Sequence, residues 1–139
     1  MLINQSIITD IKTIIAQSKE KAIRAVDHQR TLMYWHIGKR IFEEEQEGKD
    51  RAGYGKYLTK FIAQELEPEY GSSYSKRQVE LFRQFYRTFP IANALRSQLS
   101  WTQYKLLIRI DNQDKREFYI AEAIKNNWNS RQLERQIYS

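Results

Sequence analysis

Residues 73–90 read SYSKRQVELFRQFYRTFP, a stretch with four basic and five aromatic side chains. At 100° per residue, Val79, Phe82, Phe85, Tyr86 and Phe89 fall within one arc of about 120°, with Leu81 at its edge. Lys76, Arg83 and Arg87 fall together on the opposite side, beside Glu80 and Gln84, with Arg77 a little further round. Such a segment is a helix whose rings enter a core and whose cations stay outside. Aromatics on one helical face pack; they do not form a platform for stacking bases. The basic face has two readings, a solvated surface or a contact for a polyanion.

The rest of the chain repeats the helical period. Both prolines fall where helices are expected to stop, only five glycines occur, and the apolar-polar alternation of a half-buried strand is almost absent. Ser75 with Gln78, Ser100 with Gln103, and Asn129 with Gln132 have the spacing of helix-opening capping boxes. After Ser100, the run WTQYKLLIRI is apolar over more than half its circumference. Only Thr102, Lys105 and Arg109 share a narrow polar arc, so this helix belongs in the core. In GKYLTKFIAQELEPEYG, Leu58, Phe61, Ile62 and Leu66 are expected to line one face and Pro68 to end the helix. In QDKREFYIAEAIKNNW, Phe118, Ala121, Ile124 and Trp128 are expected to face inward. Packing is also the expected role of Trp101, Tyr104 and Tyr119.

The first element, about Ser6 to Glu45, would span roughly 60 Å as one helix at ~1.5 Å per residue. It must therefore break, near Gln17 to Lys21, or project from the body. Ile8, Ile11, Ile15, Ala22, Ala25 and Leu32 form a 3–4 stripe able to pair with a second copy, interrupted by Ser18 and Gln29. The expected fold class is all-α: a multi-helix domain over residues 1–139 with a helix-turn-helix-like core and a long N-terminal helix or helix pair. The eight-residue connection EPEYGSSY is longer than that motif normally uses.

With 139 residues, 41% of them hydrophobic, the chain can bury one sizeable core. The mean hydropathy is −0.73, and no run approaches the roughly 20 apolar residues of a membrane span. The N-terminus MLINQSIITDIK lacks the layout of a secretory signal. The absence of cysteine removes disulfides, thiolate zinc sites and thiol nucleophiles, which suits the cytoplasm. The net charge of +6 is unevenly spread. Residues 1–50 carry eight basic and eight acidic side chains, residues 51–90 seven and four, and residues 91–139 eight and five. A basic excess raises the odds of a polyanionic partner.

Catalytic chemistry has no visible centre. His28 and His36 lack carboxylates at ligand spacing, and Glu43, Glu44, Glu45 and Glu47 read as a solvated run. There is no phosphate loop, no Ser-His-Asp order, and no separated carboxylates with a lysine on strands for metal-assisted hydrolysis. No cofactor or metal is expected.

Taken in order, GYGKYL, LEPEYGSSYSKRQVELFRQFY, LSWTQYKLLIRI, REFYIAEAI and NWNSRQLERQI resemble the N-terminal domain of YhcG-like proteins, a bacterial domain of unknown function. The resemblance covers roughly residues 10–139. In that family this region precedes a C-terminal PD-(D/E)XK nuclease domain, so the chain is expected to be a piece of a longer nuclease-containing protein or a short relative. The resemblance implies a helical DNA-binding module of winged helix-turn-helix type, although no strand pair for a wing is visible in this sequence. It gives Ser75, Lys76, Arg77, Gln78, Arg83 and Arg87 a DNA-facing role, and transfers no catalytic residue. The expected partners are double-stranded DNA, the nuclease domain, and a second copy through the N-terminal helix. The rival readings are a protein-protein assembly or dimerisation module whose charge is incidental and, third, a toxin or effector adaptor.

Overall fold

The computed structural model describes residues 4–139, which form six α-helices and two short 3-10 turns, with no strand among the described residues. The helices are α1 (Ser6–Glu47), α2 (Tyr54–Tyr70), α3 (Lys76–Thr88), α4 (Trp101–Ile108), α5 (Gln113–Lys125) and α6 (Ser130–Ile137). The fold is all-α, as the periodicity requires, and there is no strand pair to build a wing among the described residues. None of these helices is long and apolar enough to cross a membrane.

The N-terminal element resolves in favour of projection. α1 runs unbroken for 42 residues, and the expected break at Gln17 to Lys21 does not occur. No Pro or Gly interrupts that stretch, and each backbone N–H there keeps its helical acceptor, so looser apolar spacing alone gives the helix no reason to stop. Residues 6–26 are exposed throughout, whereas Thr31, Tyr34, Trp35, Gly38 and Ile41 are buried in the body, where α1 packs chiefly on α3 and also touches α2 and α4.

That packing is close. A Cβ added at Gly38 would lie 1.9 Å from the carbonyl oxygen of Phe82 and 2.6 Å from its carbonyl carbon. α1 and α3 therefore meet backbone to backbone. Around the crossing, Tyr34 stacks on Phe82 with ring centroids 4.4 Å apart, and the Trp35 indole N–H donates to the Phe89 carbonyl at 2.6 Å. Val79, Phe82 and Phe85 are fully buried, so the ring-bearing face of the opening stretch enters the core as expected.

α4 lies across this pair as the inner helix. Trp101, Tyr104, Leu106, Leu107, Ile108 and Ile110 are all buried, while Thr102 and Arg109 are exposed. Its start is tied to α1 by the Trp101 N–H, which donates to the Asp27 carboxylate at 3.2 Å. Both halves of the capping box form at Ser100–Gln103 and at Asn129–Gln132. At Ser75 only the first half forms: the Ser75 oxygen accepts from the Gln78 N–H. The C-terminal end of α4 is held by Arg116, which donates to the Ile110 carbonyl and lies over the Phe89 ring.

Three expectations are corrected. Pro68 lies inside α2, which continues to Tyr70. A proline in the last turn forfeits only one hydrogen bond, and the Gly71 N–H still closes that turn on the Glu67 carbonyl. The connection to α3 shortens accordingly to Gly71–Ser75. On α2, Thr59 and Ala63 are buried with Leu58, while Phe61 turns out to solvent and stacks on Tyr57. On α5 the buried face is Arg116, Ile120 and Ala123. Phe118 is 56% exposed and Ala121 is also outside, because the 116-120-123 stripe, anchored by the Arg116 cap, outcompetes the 118-121 one.

Two outcomes follow. Gly38→Ala should cost about 3 kcal/mol, since no side-chain adjustment relieves a clash with backbone. A thermal melt would read this as a fall of several degrees, and an unchanged midpoint would contradict the backbone contact. Burial also raises the phenol pKa of Tyr104 above its ordinary value. Above pH ~10 the unfolded chain loses this proton while the folded chain keeps it. Stability should therefore fall as pH rises through that region. Tyr104→Phe should flatten the alkaline limb of a denaturant-stability profile, leaving the share of Tyr34, whose pKa burial likewise raises.

Candidate nucleic-acid interface

The cations of α3 divide between two surroundings. Arg83 and Arg87 turn toward the end of α1, where the Glu45 carboxylate accepts from both, at 2.6 Å from Arg83 and 3.1 Å from Arg87. The Arg83 and Glu45 side chains are only 18% and 17% exposed. Arg83 also donates to the Gly55 carbonyl at the start of α2, and Arg87 lies over the Phe42 ring. Thus Glu45, read from sequence as one member of a solvated acidic run, is the acceptor of an ion-pair knot joining α1, α2 and α3. The expectation that Arg83 and Arg87 both point freely outward is corrected here. The cause is that α1 runs unbroken past the outer face of α3 and delivers a carboxylate to it.

The first turn of α3 is different. Lys76 is exposed and makes a long i,i+4 contact of 3.9 Å with Glu80. Arg77 is exposed and forms no ion pair among the described residues. Ser75 is half-buried and spends its hydroxyl on the helix cap, and Gln78 is half-buried beside it. The helix N-terminus itself adds partial positive charge to this end.

Across from this turn the polar arc of α4 comes into play. Arg77, Gln78 and Gln84 of α3, Thr102 and Lys105 of α4, and Arg109 at the C-cap of α4 line one cleft of about 560 Å³, with Glu80 and Glu134 also on its wall. Lys105 and Arg109, like Arg77, have no carboxylate partner among the described residues. Because Leu106, Leu107 and Ile108 anchor α4 in the core, the two cations beside them are held on a rigid element. The narrow polar arc that marks this helix in the sequence as a core element is thus one wall of the cleft. The available signal was that three polar residues interrupt an otherwise apolar helix.

Such an arrangement can bind anions. It holds no nucleophile next to a base, and among the described residues no group of three or more His, Asp or Glu side chains is placed to hold a metal ion.

Comparison with known proteins gives two matches. Residues 10–139 match the family described as the DUF1016 N-terminal domain. The chain is also 29% identical, over 96% of its length, to "Putative nuclease YhcG" of Escherichia coli strain K12. It spans 44% of that relative's length. No solved structure matches the chain significantly.

The ion-pair knot yields a stability prediction. Glu45→Gln leaves Arg83 enclosed and facing a neutral amide, which should destabilise by about 2 kcal/mol, below the range for fully buried pairs because both groups keep some solvent. Denaturant titration should show the loss, with Arg40→Gln, on an exposed i,i+4 pair with Glu44, nearly neutral. Equal effects from the two changes would contradict the distinction.

Proposed function

The chain belongs to the DUF1016 N-terminal domain family, and on that premise we propose that it is a duplex-DNA-binding module, non-catalytic by itself, that targets an associated PD-(D/E)XK-type nuclease domain. The observation that carries this reading is the cationic cleft between α3 and α4, where Arg77, Lys105 and Arg109 stand without acidic partners. Phosphate neutralisation by Lys and Arg releases condensed counterions and supplies most of the affinity of such contacts. Supporting it are the basic balance of residues 51–139 and the naming of a full-length relative as a nuclease.

Within the proposal the six expected residues take different parts. Lys76 and Arg77 meet phosphates, and Gln78 lies where a polar side chain at a recognition-helix start reaches a base edge. Ser75 fixes the end of the helix. Arg83 and Arg87 hold that helix through Glu45, and Arg87, 42% exposed, can add a phosphate contact at the margin. Helices α2 and α3 with the short Gly71–Ser75 connection are the helix-turn-helix-like pair. A second reading, an assembly module without DNA contact, is favoured by one observation, the exposed isoleucines of α1.

Salt titration of duplex DNA binding separates the two. The DNA reading predicts that log affinity falls linearly with log salt, and that the combined Arg77→Ala, Lys105→Ala and Arg109→Ala change lowers the slope by about 3. Lys76→Ala should lower it by about 1. Binding that is absent at low salt, or unaltered in the triple variant, would remove this cleft as the interface.

A further inference from the structure

Ile7, Ile8, Ile11, Ile14, Ile15 and Val26 of the projecting arm are 45 to 62% exposed. A contiguous apolar patch of this kind on a soluble chain marks a contact surface. On a 100°-per-residue wheel the five isoleucines centre about 180° from Thr31, Tyr34, Trp35, Gly38 and Ile41, the face α1 buries on its own domain. The patch thus looks directly away from the body, and nothing in the domain obstructs a partner helix.

We infer that the occupant is the same arm of a second copy, packed antiparallel. Residues 8, 11, 15, 18, 22 and 25 recur at 3–4 spacing, the period of a two-helix seam. The first half of that seam is large, Ile8, Ile11 and Ile15, and the second half is small, Ser18, Ala22 and Ala25. An antiparallel alignment sets Ile8 against the partner's Ala25, Ile11 against the partner's Ala22, and Ile15 against the partner's Ser18. Large meets small six times along the symmetric pair, the interdigitation that close packing requires. A parallel pair would instead set isoleucine on isoleucine and leave the small residues facing across a gap.

Charge and length agree with this alignment. On one flank Asp10 comes within side-chain reach of the partner's Lys21, twice by symmetry. Lys12 and Lys19 share the other flank as exposed like charges, which keeps the association reversible and concentration-dependent. The same register ends by setting Ile7 against the partner's Val26, so the overlap is residues 7–26, nearly the whole exposed arm, roughly 30 Å at ~1.5 Å per residue. The two bodies then lie at opposite ends of the seam.

The test needs no DNA, so its failure is distinct from failure of the DNA reading. Light scattering on the full chain should show mass rising with concentration from 16.7 kDa to twice that value. Ile11→Lys with Ile15→Lys should hold it at the monomer mass with an unchanged helical circular dichroism spectrum, since neither side chain touches the core. The chain has no cysteine, so orientation can be read by cross-linking. An equimolar mixture of Ile11→Cys and Ala22→Cys chains should form the mixed disulfide on mild oxidation, and Ile11→Cys alone should not pair with itself. A monomer at every concentration would overturn the inference in favour of a different partner. So would efficient self-cross-linking of Ile11→Cys, or a mixture that forms no mixed disulfide.

Discussion

The placement of α1 against the charged helix α3 depends on the approach of the two helices at Gly38. With the Phe82 carbonyl 1.9 Å from where a Cβ would stand, only glycine allows the two helices to touch along their backbones. From that contact the neighbouring positions follow. One turn before it, Tyr34 reaches the Phe82 ring face; two turns beyond it, Glu45 arrives beside Arg83 and Arg87. A larger residue at 38 would lift the whole length of α1 and separate Glu45 from its arginines.

The same contact divides the positive charge of α3 into two populations. Arg83 and Arg87 are committed to the scaffold, and a partly enclosed carboxylate between two guanidiniums is a rigid, geometry-demanding link. Lys76 and Arg77, at the other end of the helix, keep their charge for solvent or a ligand. Lys105 and Arg109 join them only because α4 is driven into the core by its five buried apolar residues and by Ile110 just beyond it, leaving its polar arc no direction except outward. The scaffold and the candidate interface are therefore consequences of one hydrophobic arrangement.

Helix periodicity made much of this legible in the sequence. The aromatic face of α3 and the nearly all-round burial of α4 are amphipathic patterns that survive any choice of neighbours. The capping pairs at Ser100 and Asn129 are equally local. What could not be read required knowing which helix lies beside which. Glu45 looked like one carboxylate in a run of four, and its selection over Glu43 and Glu44 depends on the azimuth at which α1 passes α3. Phe118 lost its expected place because two stripes on α5 compete, and the Arg116 contact with the end of α4 decides between them. Lys105 and Arg109 were visible as an arc, but their partnership with Arg77 exists only after α3 and α4 are packed.

The most direct examination of the central claim is photo-cross-linking to duplex DNA from a probe side chain placed at Gln84, which is exposed inside the cleft, compared with the same probe at Glu43 on the outer face of α1. The account predicts adducts from Gln84 that disappear at high salt and none from Glu43. Adducts from Glu43 with none from Gln84 would contradict it.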